Sequence, residues 1–214
     1  MTATADRIPL RASAAASSPF IAIVRNAPKV ACSNNCAAWK DIQFSQRAAS
    51  GLVFTGNAGR ARNRGFELAA TALPTAGLSL RGALTYLDGQ LRRPFGSGAT
   101  LIPAGSRLPG ASRWQISDTL TYAPVGMRYA PTFALSHRYL SSAPGELRVN
   151  PQTQGGYHLV DLRIGGTFGK FGAALFVDNL GDVRGVSQSV TGLRGPVEFL
   201  VRPRTMGITL DYRL

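Results

Sequence analysis

The sequence predicts an all-β chain, a portion of an antiparallel up-and-down transmembrane β-barrel of about eight strands. Three observations predict it. Apolar residues recur at every second position through most of the chain, the period of a strand with one apolar face. Short and long connections alternate between these stretches, as in barrels with tight turns at one rim and long loops at the other. The composition pairs 44% hydrophobic residues with only 16% charged ones, against about 25% charged in soluble domains. Yet the longest apolar patch near the start is only 20–24, which excludes a transmembrane helix.

Taken in order, 1–38 is rich in Ala, Ser, Asn and Pro, shows no period, and is expected to be irregular. Strands are expected at 39–47, 62–73, 78–90, 112–123, 128–140, 156–168, 171–180 and 204–214. The last is the clearest. Met206, Ile208, Leu210, Tyr212 and Leu214 alternate with Thr205, Gly207, Thr209, Asp211 and Arg213. Leu78, Leu80, Leu84 and Tyr86 oppose Ser79, Arg81, Ala83 and Thr85; Phe66 and Leu68 oppose Glu67, Ala69 and Thr71. Phe133, Leu135 and Tyr139 oppose Thr132, Ala134, Ser136 and Arg138; Val160, Leu162, Ile164 and Phe168 oppose Asp161, Arg163 and Thr167. A tilted strand of about 9–11 residues crosses a bilayer core, whereas soluble strands run about 5–6.

Short turns are expected at 74–77, 124–127 and 169–170, and long loops at 48–61, 91–111, 141–155 and 181–203. Aromatic residues should then gather at the strand ends, at the two membrane interfaces. Trp114 and Tyr122, Tyr129 and Tyr139, and Tyr157 and Phe168 bracket three successive strands. Tyr86 falls at an outer end, and Phe171 and Tyr212 at inner ends. Two positions resist the pattern. Asp118 falls between Ile116 and Leu120 on the apolar face, where a bulge or a register change would relieve it. His137 joins that face near the expected outer rim, either as a ligand or as an incidental histidine.

Lys and Arg number 24 against 11 Asp and Glu. That excess suits a phosphate-bearing partner, nucleic acid or lipopolysaccharide, or simply arginines spread over loops and a polar lumen. The densest run, Arg60 to Arg64, is too short to decide between them. A soluble nucleic-acid binder needs rings among its arginines, and here the rings are expected on the apolar face, away from them. Cys32 and Cys36 suit a small disulfide, a metal site that lacks further ligands nearby, or incidental thiols. Asp6, Arg7 and Pro9 interrupt the N-terminus, so no secretory signal is read there.

Four stretches resemble the C-terminal barrel half of TonB-dependent receptors. Trp39-Lys40-Asp41-Ile42-Gln43 is similar to a strand segment of that family. Asn57-Ala58-Gly59-Arg60-Ala61-Arg62, running on to Arg64-Gly65-Phe66-Glu67-Leu68, resembles its Asn-Ala-Gly signature. Leu175-Phe176-Val177-Asp178-Asn179-Leu180 with Asp182 resembles its Asn-Leu-x-Asp motif, and Pro203-Arg204-Thr205-Met206-Gly207 with the final strand resembles its terminus. The resemblance covers roughly 39–214. Gly65 suits close backbone passage, Asn179 and Asp182 a turn, and Pro203 a strand start. The family terminus is usually aromatic; here it is Leu214.

The resemblance implies transport without catalysis and without a cofactor. Family members take up iron–siderophore complexes or similar nutrients through a barrel of 22 strands with a plugged lumen, energised through TonB. The plug, the TonB contact and the earlier strands are not read in this chain, so it is expected to be a fragment of an outer-membrane receptor, not transport-competent alone. Its expected partners are outer-membrane lipid and the barrel assembly machinery. Arg92, Arg93 and Arg107 in the long loop are candidate ligand contacts, for an anionic ferric complex or a lipopolysaccharide phosphate, or else ordinary solvated loop arginines. Asp161 and Arg163 should both face the lumen, as substrate contacts or as wall charges paired with neighbouring strands. The alternative reading is a complete eight-stranded barrel, a pore or structural protein, which would require the first and last strands to pair. The soluble nucleic-acid binder ranks last.

Overall fold

The structure is a computed structural model describing residues 29–47, 52–57, 59–96, 98–192 and 194–213. In chain order its strands are β1 (Lys29–Lys40), β2 (Gln43–Arg47), β3 (Val53–Asn57), β4 (Arg60–Thr75), β5 (Leu78–Leu91), β6 (Trp114–Tyr122), β7 (Thr132–Leu140), β8 (Ala143–Pro144), β9 (Thr153–Gln154), β10 (Tyr157–Phe168), β11 (Phe171–Asp178), β12 (Val186–Gly192), β13 (Gly195–Leu200) and β14 (Thr205–Tyr212). Eight form one sheet in the order β1-β4-β5-β6-β7-β10-β11-β14. Every neighbouring pair in it is antiparallel. The other six form three hairpins, β2–β3, β8–β9 and β12–β13, each within a long connection at the same end of the sheet. No helix among the described residues is long and apolar enough to cross a membrane.

The alternating pattern becomes two chemically distinct faces. On one, Leu120, Leu135 and Leu162 lie in register across β6, β7 and β10, and Ile164, Leu175 and Ile208 across β10, β11 and β14. All but the half-buried Leu162 are exposed, Leu175 by 56% and Ile208 by 67%. The other face carries Thr119 against Ser136 at 3.3 Å and Arg138 against Asp161 at 3.1 Å. A sheet that turns so largely apolar a face outward is unstable in water and suited to lipid.

Rings close both ends of that apolar face. Phe66, Tyr86 and Trp114 stack across β4, β5 and β6, with centroids 4.6–6.2 Å apart. At the opposite ends Tyr122 meets Phe133, Tyr129 meets Phe168, and Phe171 meets Tyr212. Tyr157 does not join a band. It lies on the other face, against Gly185, and His158 takes the expected place by stacking on Tyr139 at 4.4 Å.

The first expected strand is displaced. The sheet strand is β1, so 29–38 is extended and not irregular; 1–28 lie outside the described residues. Asp41, at φ 58°, ends β1, and 43–47 belongs to the β2–β3 hairpin. The physical reason is that β1 has almost no side-chain alternation to read. It is held by a ladder to β4 along its whole length, from Lys29 opposite Thr71 to Lys40 opposite Arg60. Cys32 and Cys36 therefore lie four residues apart on one strand, about 13 Å. No disulfide spans that distance, and Cys36 is free. Expected strand 128–140 also shortens to β7, because 127–130 forms a turn with Ala130 at φ 38° ahead of Pro131.

The buried core sits in the long connections, not in the wall. Ala61 and Leu91, at the tops of β4 and β5, pack with Ile102, Leu108 and Ala111 of the 92–113 connection, fringed by Ile42, Phe44, Phe95 and Leu147. Ala61 shares a face with Glu67, so this layer folds over the polar side of the sheet. Gly65 permits the local geometry, since a Cβ there would collide with the Tyr86 carbonyl oxygen. Gly77, at φ 80° in the tight β4–β5 turn, lies against the Ala123 carbonyl in the same way.

Candidate functional site

Two of the long connections, those after β5 and β7, line an open cavity of about 590 Å³ in the outer layer, and the connection after β11 docks beside them. Arg107, Glu146, Arg148, Asn150 and Ile102 are among its lining residues. Arg107 is fixed by donating to the backbone oxygens of Ala111 at 2.8 Å and Ser142 at 2.9 Å, which ties two connections together. Glu146 accepts bonds from the backbone N–H and, at 2.8 Å, the hydroxyl of Thr191. Arg148 lies 3.8 Å from Glu146 and also donates to that hydroxyl. Ser189 N donates to Gln154 Oε1 at 3.0 Å, docking β12 on β9. The result is a polar recess with a fixed guanidinium on one side and an Arg–Glu pair on the other. It can receive a polar ligand that carries anionic oxygens.

Of the three loop arginines expected from sequence, only Arg107 lines this recess. Arg92 and Arg93 are exposed. Arg92 continues the wall, donating its backbone N–H to Arg60 O at 2.7 Å. Sequence reading passed over Glu146, Arg148 and Asn150 because they stand in a loop without period. The signal available was the mixed charge of Glu146-Leu147-Arg148 in an otherwise polar stretch.

Asp161 and Arg163 share the polar face, as expected. Asp161 is bound on both oxygens, by Arg138 at 3.1 Å and by the Asn179 backbone N–H at 2.8 Å. Arg163 lies over the Phe176 ring, 5.8 Å from its centroid. Both are tied to neighbouring strands, which favours wall pairing over free ligand contacts.

The motif residues act as staples. Asn57 Oδ1 accepts the Gly59 N–H at 2.9 Å. Glu67 lies opposite Thr85 on the polar face and is exposed. Asn179, buried at φ 52°, donates to Val183 O and Arg202 O and accepts the Val183 N–H, joining the end of β11 to the approach of β14. Asp182 accepts the Arg204 N–H at 2.9 Å and pairs with Arg184 at 3.4 Å. The Arg204 backbone bond, more than the Arg184 charge, holds its carboxyl below the ordinary carboxylate value. Pro203 sits just ahead of β14, where no ladder bond is required. Tyr212 closes the inner band; Leu214 lies outside the described residues.

Asp118 keeps its register on the apolar face, directly opposite His137. No bulge relieves it; a partner does. His137 Nδ1 lies 3.3 Å from an Asp118 oxygen, and His137 Nε2 lies 2.9 Å from His158 Nδ1. The three side chains make one polar row, with His158 stacked on Tyr139. His137 is not near the rim. Its partner is the central residue of nine-residue β6. Among the described residues no group of three or more His, Cys, Asp or Glu gathers in a way that could hold a metal ion.

Comparison with known proteins fits this architecture. Residues 27–180 match the family described as TonB dependent receptor-like, beta-barrel. Among solved structures, the ferric yersiniabactin uptake receptor FyuA from Yersinia pestis aligns with TM-score 0.69 and 19% identity, over 86% of this chain and 27% of that one. The siderophore receptor PiuA from Acinetobacter baumannii aligns with TM-score 0.69 and 15% identity, over 89% and 26%. The ferric-catecholate import receptor Fiu from E. coli aligns with TM-score 0.63 and 17% identity, over 86% and 25%. The chain thus spans about a quarter of the length of these structures. Nothing among the curated proteins matches it.

Proposed function

Because this chain belongs to the TonB-dependent receptor-like β-barrel family, we propose that it forms part of the wall and outer loops of an outer-membrane receptor. That receptor takes up iron–siderophore complexes or similar nutrients. The carrying observation is the eight-stranded sheet whose apolar face is outward, exposed and closed at both ends by rings. Water does not tolerate such a face; a bilayer does. The outer recess beside Arg107 and Arg148 is where a ligand with anionic oxygens would first be held. TonB enters this reading only through parts of a longer receptor, and the assembly machinery only through insertion of the barrel. The role is recognition and passage, with no chemical step.

In this reading the chain alone does not transport, because its sheet is open. β1 and β14 stand at opposite edges of the sheet and do not pair. An open edge is a template for further strands, and about a quarter of the matched receptors' length is present. The test is refolding of the full chain in detergent, followed by electrophoresis with and without heating. We expect strong β circular dichroism and no faster-migrating unheated band. A compact, heat-sensitive band would mean that eight strands close by themselves. The complete small-barrel reading would then replace the receptor portion.

A further inference from the structure

The run Arg60 to Arg64 is undecided in sequence, and the structure arranges it. β4 is regular there, so Arg60, Arg62 and Arg64 point to the same side as Phe66. That is the membrane-facing side. The arginines are therefore not separated from the rings, as the sequence suggests, but rise directly from them. Arg64 stands about 7 Å along the strand beyond Phe66, Arg62 about 13 Å and Arg60 about 20 Å.

Neighbouring strands add to the row. Lys40 lies directly opposite Arg60, and Arg92 is joined to Arg60 on the other side by a backbone bond. Like charges facing each other across a ladder are unfavourable. Arg62 feels both Arg64 and Arg92 as neighbouring like charges, offset in part by the more weakly acting Asp88. The one carboxylate in the row, Asp88 opposite Arg64, is occupied by Arg113 at 3.3 Å and by the Gln90 amide at 3.1 and 3.0 Å. Among the described residues none of Lys40, Arg60, Arg62, Arg64 and Arg92 has an ion pair. The loop layer does not cover them, because its core packs on the opposite face through Ala61 and Leu91.

Rings at the edge of the apolar band mark the depth where a bilayer ends and headgroups begin. Five cations run outward from that edge on the lipid side, Arg64 nearest and Arg60, Lys40 and Arg92 farthest, with Asp88 the one carboxylate among them; such a row is complementary to a phosphate-bearing headgroup that extends outward from the rings. We propose that Lys40, Arg60, Arg62, Arg64 and Arg92 form a binding site for the phosphate-bearing headgroup of an outer-leaflet lipid, seated above the Phe66–Tyr86–Trp114 rings. This inference rests on the wall facing lipid, as proposed above. The lipid's chains lie along the apolar wall while its phosphate neutralises the arginine row, so bound lipid stabilises the β1–β4–β5 corner.

The test uses the full chain in phosphatidylcholine bicelles with and without phosphatidic acid, titrating lipid binding at fixed salt. The variant Arg60→Gln/Arg62→Gln/Arg64→Gln is expected to bind phosphatidic acid about a hundredfold more weakly. A charge-matched control at the opposite rim, Arg128→Gln/Lys170→Gln/Arg213→Gln, is expected to retain the parent's binding. Equal loss in both variants would reduce the effect to net charge and overturn the site. Competition by inorganic phosphate at concentrations similar to the lipid would make it a free-anion site. Tighter binding of single-stranded DNA than of phosphatidic acid would make it a nucleic-acid surface. Both of those results would also overturn the lipid site. Quenching of Trp114 by brominated lipid in a Trp39→Phe background reports separately on the wall. Without quenching, the membrane-facing reading itself fails. With quenching but without phosphate selectivity, only the headgroup site fails.

Discussion

The wall and the outer-loop layer of this chain solve opposite problems. In the wall the large apolar side chains are outside, with Leu210 exposed by 77%, and the polar ones line the other face. In the loop layer the ordinary arrangement returns. Leu91 is 1% exposed, and the charged groups that position the recess lie around a small apolar core. One chain thus carries a membrane solution and an aqueous solution a few residues apart. β4 and β5 pass through both, and their character changes at the ring band of Phe66, Tyr86 and Trp114. The contrast teaches that exposure of an apolar residue means nothing until its solvent is known.

The largest expected effect tests whether the two regions share a frame. In Gly65→Val the new side chain meets the Tyr86 carbonyl, a backbone atom that cannot move without breaking the β4–β5 ladder. A loss of more than about 4 kcal/mol is expected, seen as loss of the β circular-dichroism signal after refolding in detergent. Retention of near-parent signal would show that the ladder yields there.

Next comes Leu91→Ala, which opens the loop core at a cost of about 2–5 kcal/mol. Limited proteolysis should then cut within 92–113 while the wall keeps its β signal. If wall and loops are lost together, they are one cooperative unit and the distinction is only geometric.

The polar row at mid-wall gives a smaller effect. Asp118→Leu strips His137 of its carboxylate, and His137→Leu leaves the carboxylate bare in the apolar face. Each should cost about 1–3 kcal/mol in urea unfolding from lipid vesicles. The double replacement should recover most of that loss, since the pair offsets a cost that the leucines never incur; what remains is the bond that His158 loses with His137. Additive losses would mean that the two side chains act independently.

The smallest effect is the pH response of the staple at Asp182. Its carboxyl is held below the ordinary value, chiefly by the Arg204 N–H. The stability it lends is therefore complete above the ordinary carboxylate value and lost as pH falls through the lowered one. Hydrogen exchange at the Arg204 amide should quicken by less than about tenfold on acidification below about pH 4 in the parent. In Asp182→Asn that step should be missing. An identical step in both would assign it to another group.

The alternation of Met206, Ile208, Leu210 and Tyr212 was enough to find β14, because a half-exposed strand must write its two environments into every second residue. The same logic exposed seven of the eight wall strands, while the turn and strand-start roles of Asn179, Asp182 and Pro203 and the close passage at Gly65 were read from the motifs that carry the family resemblance. It could not find β1. A strand such as Lys29–Lys40 is fixed by hydrogen bonds to β4, which carry no side-chain signature. Nor could it resolve Asp118. The pairing with His137, 19 residues away, depends on a register set by the sheet as a whole. The recess around Arg107 and Arg148 was illegible for the same reason, since it gathers loops that alone have no period. Local period determined which residues share the exposed apolar face; only the tertiary structure decided which polar groups meet, because those meetings depend on long-range register and loop packing.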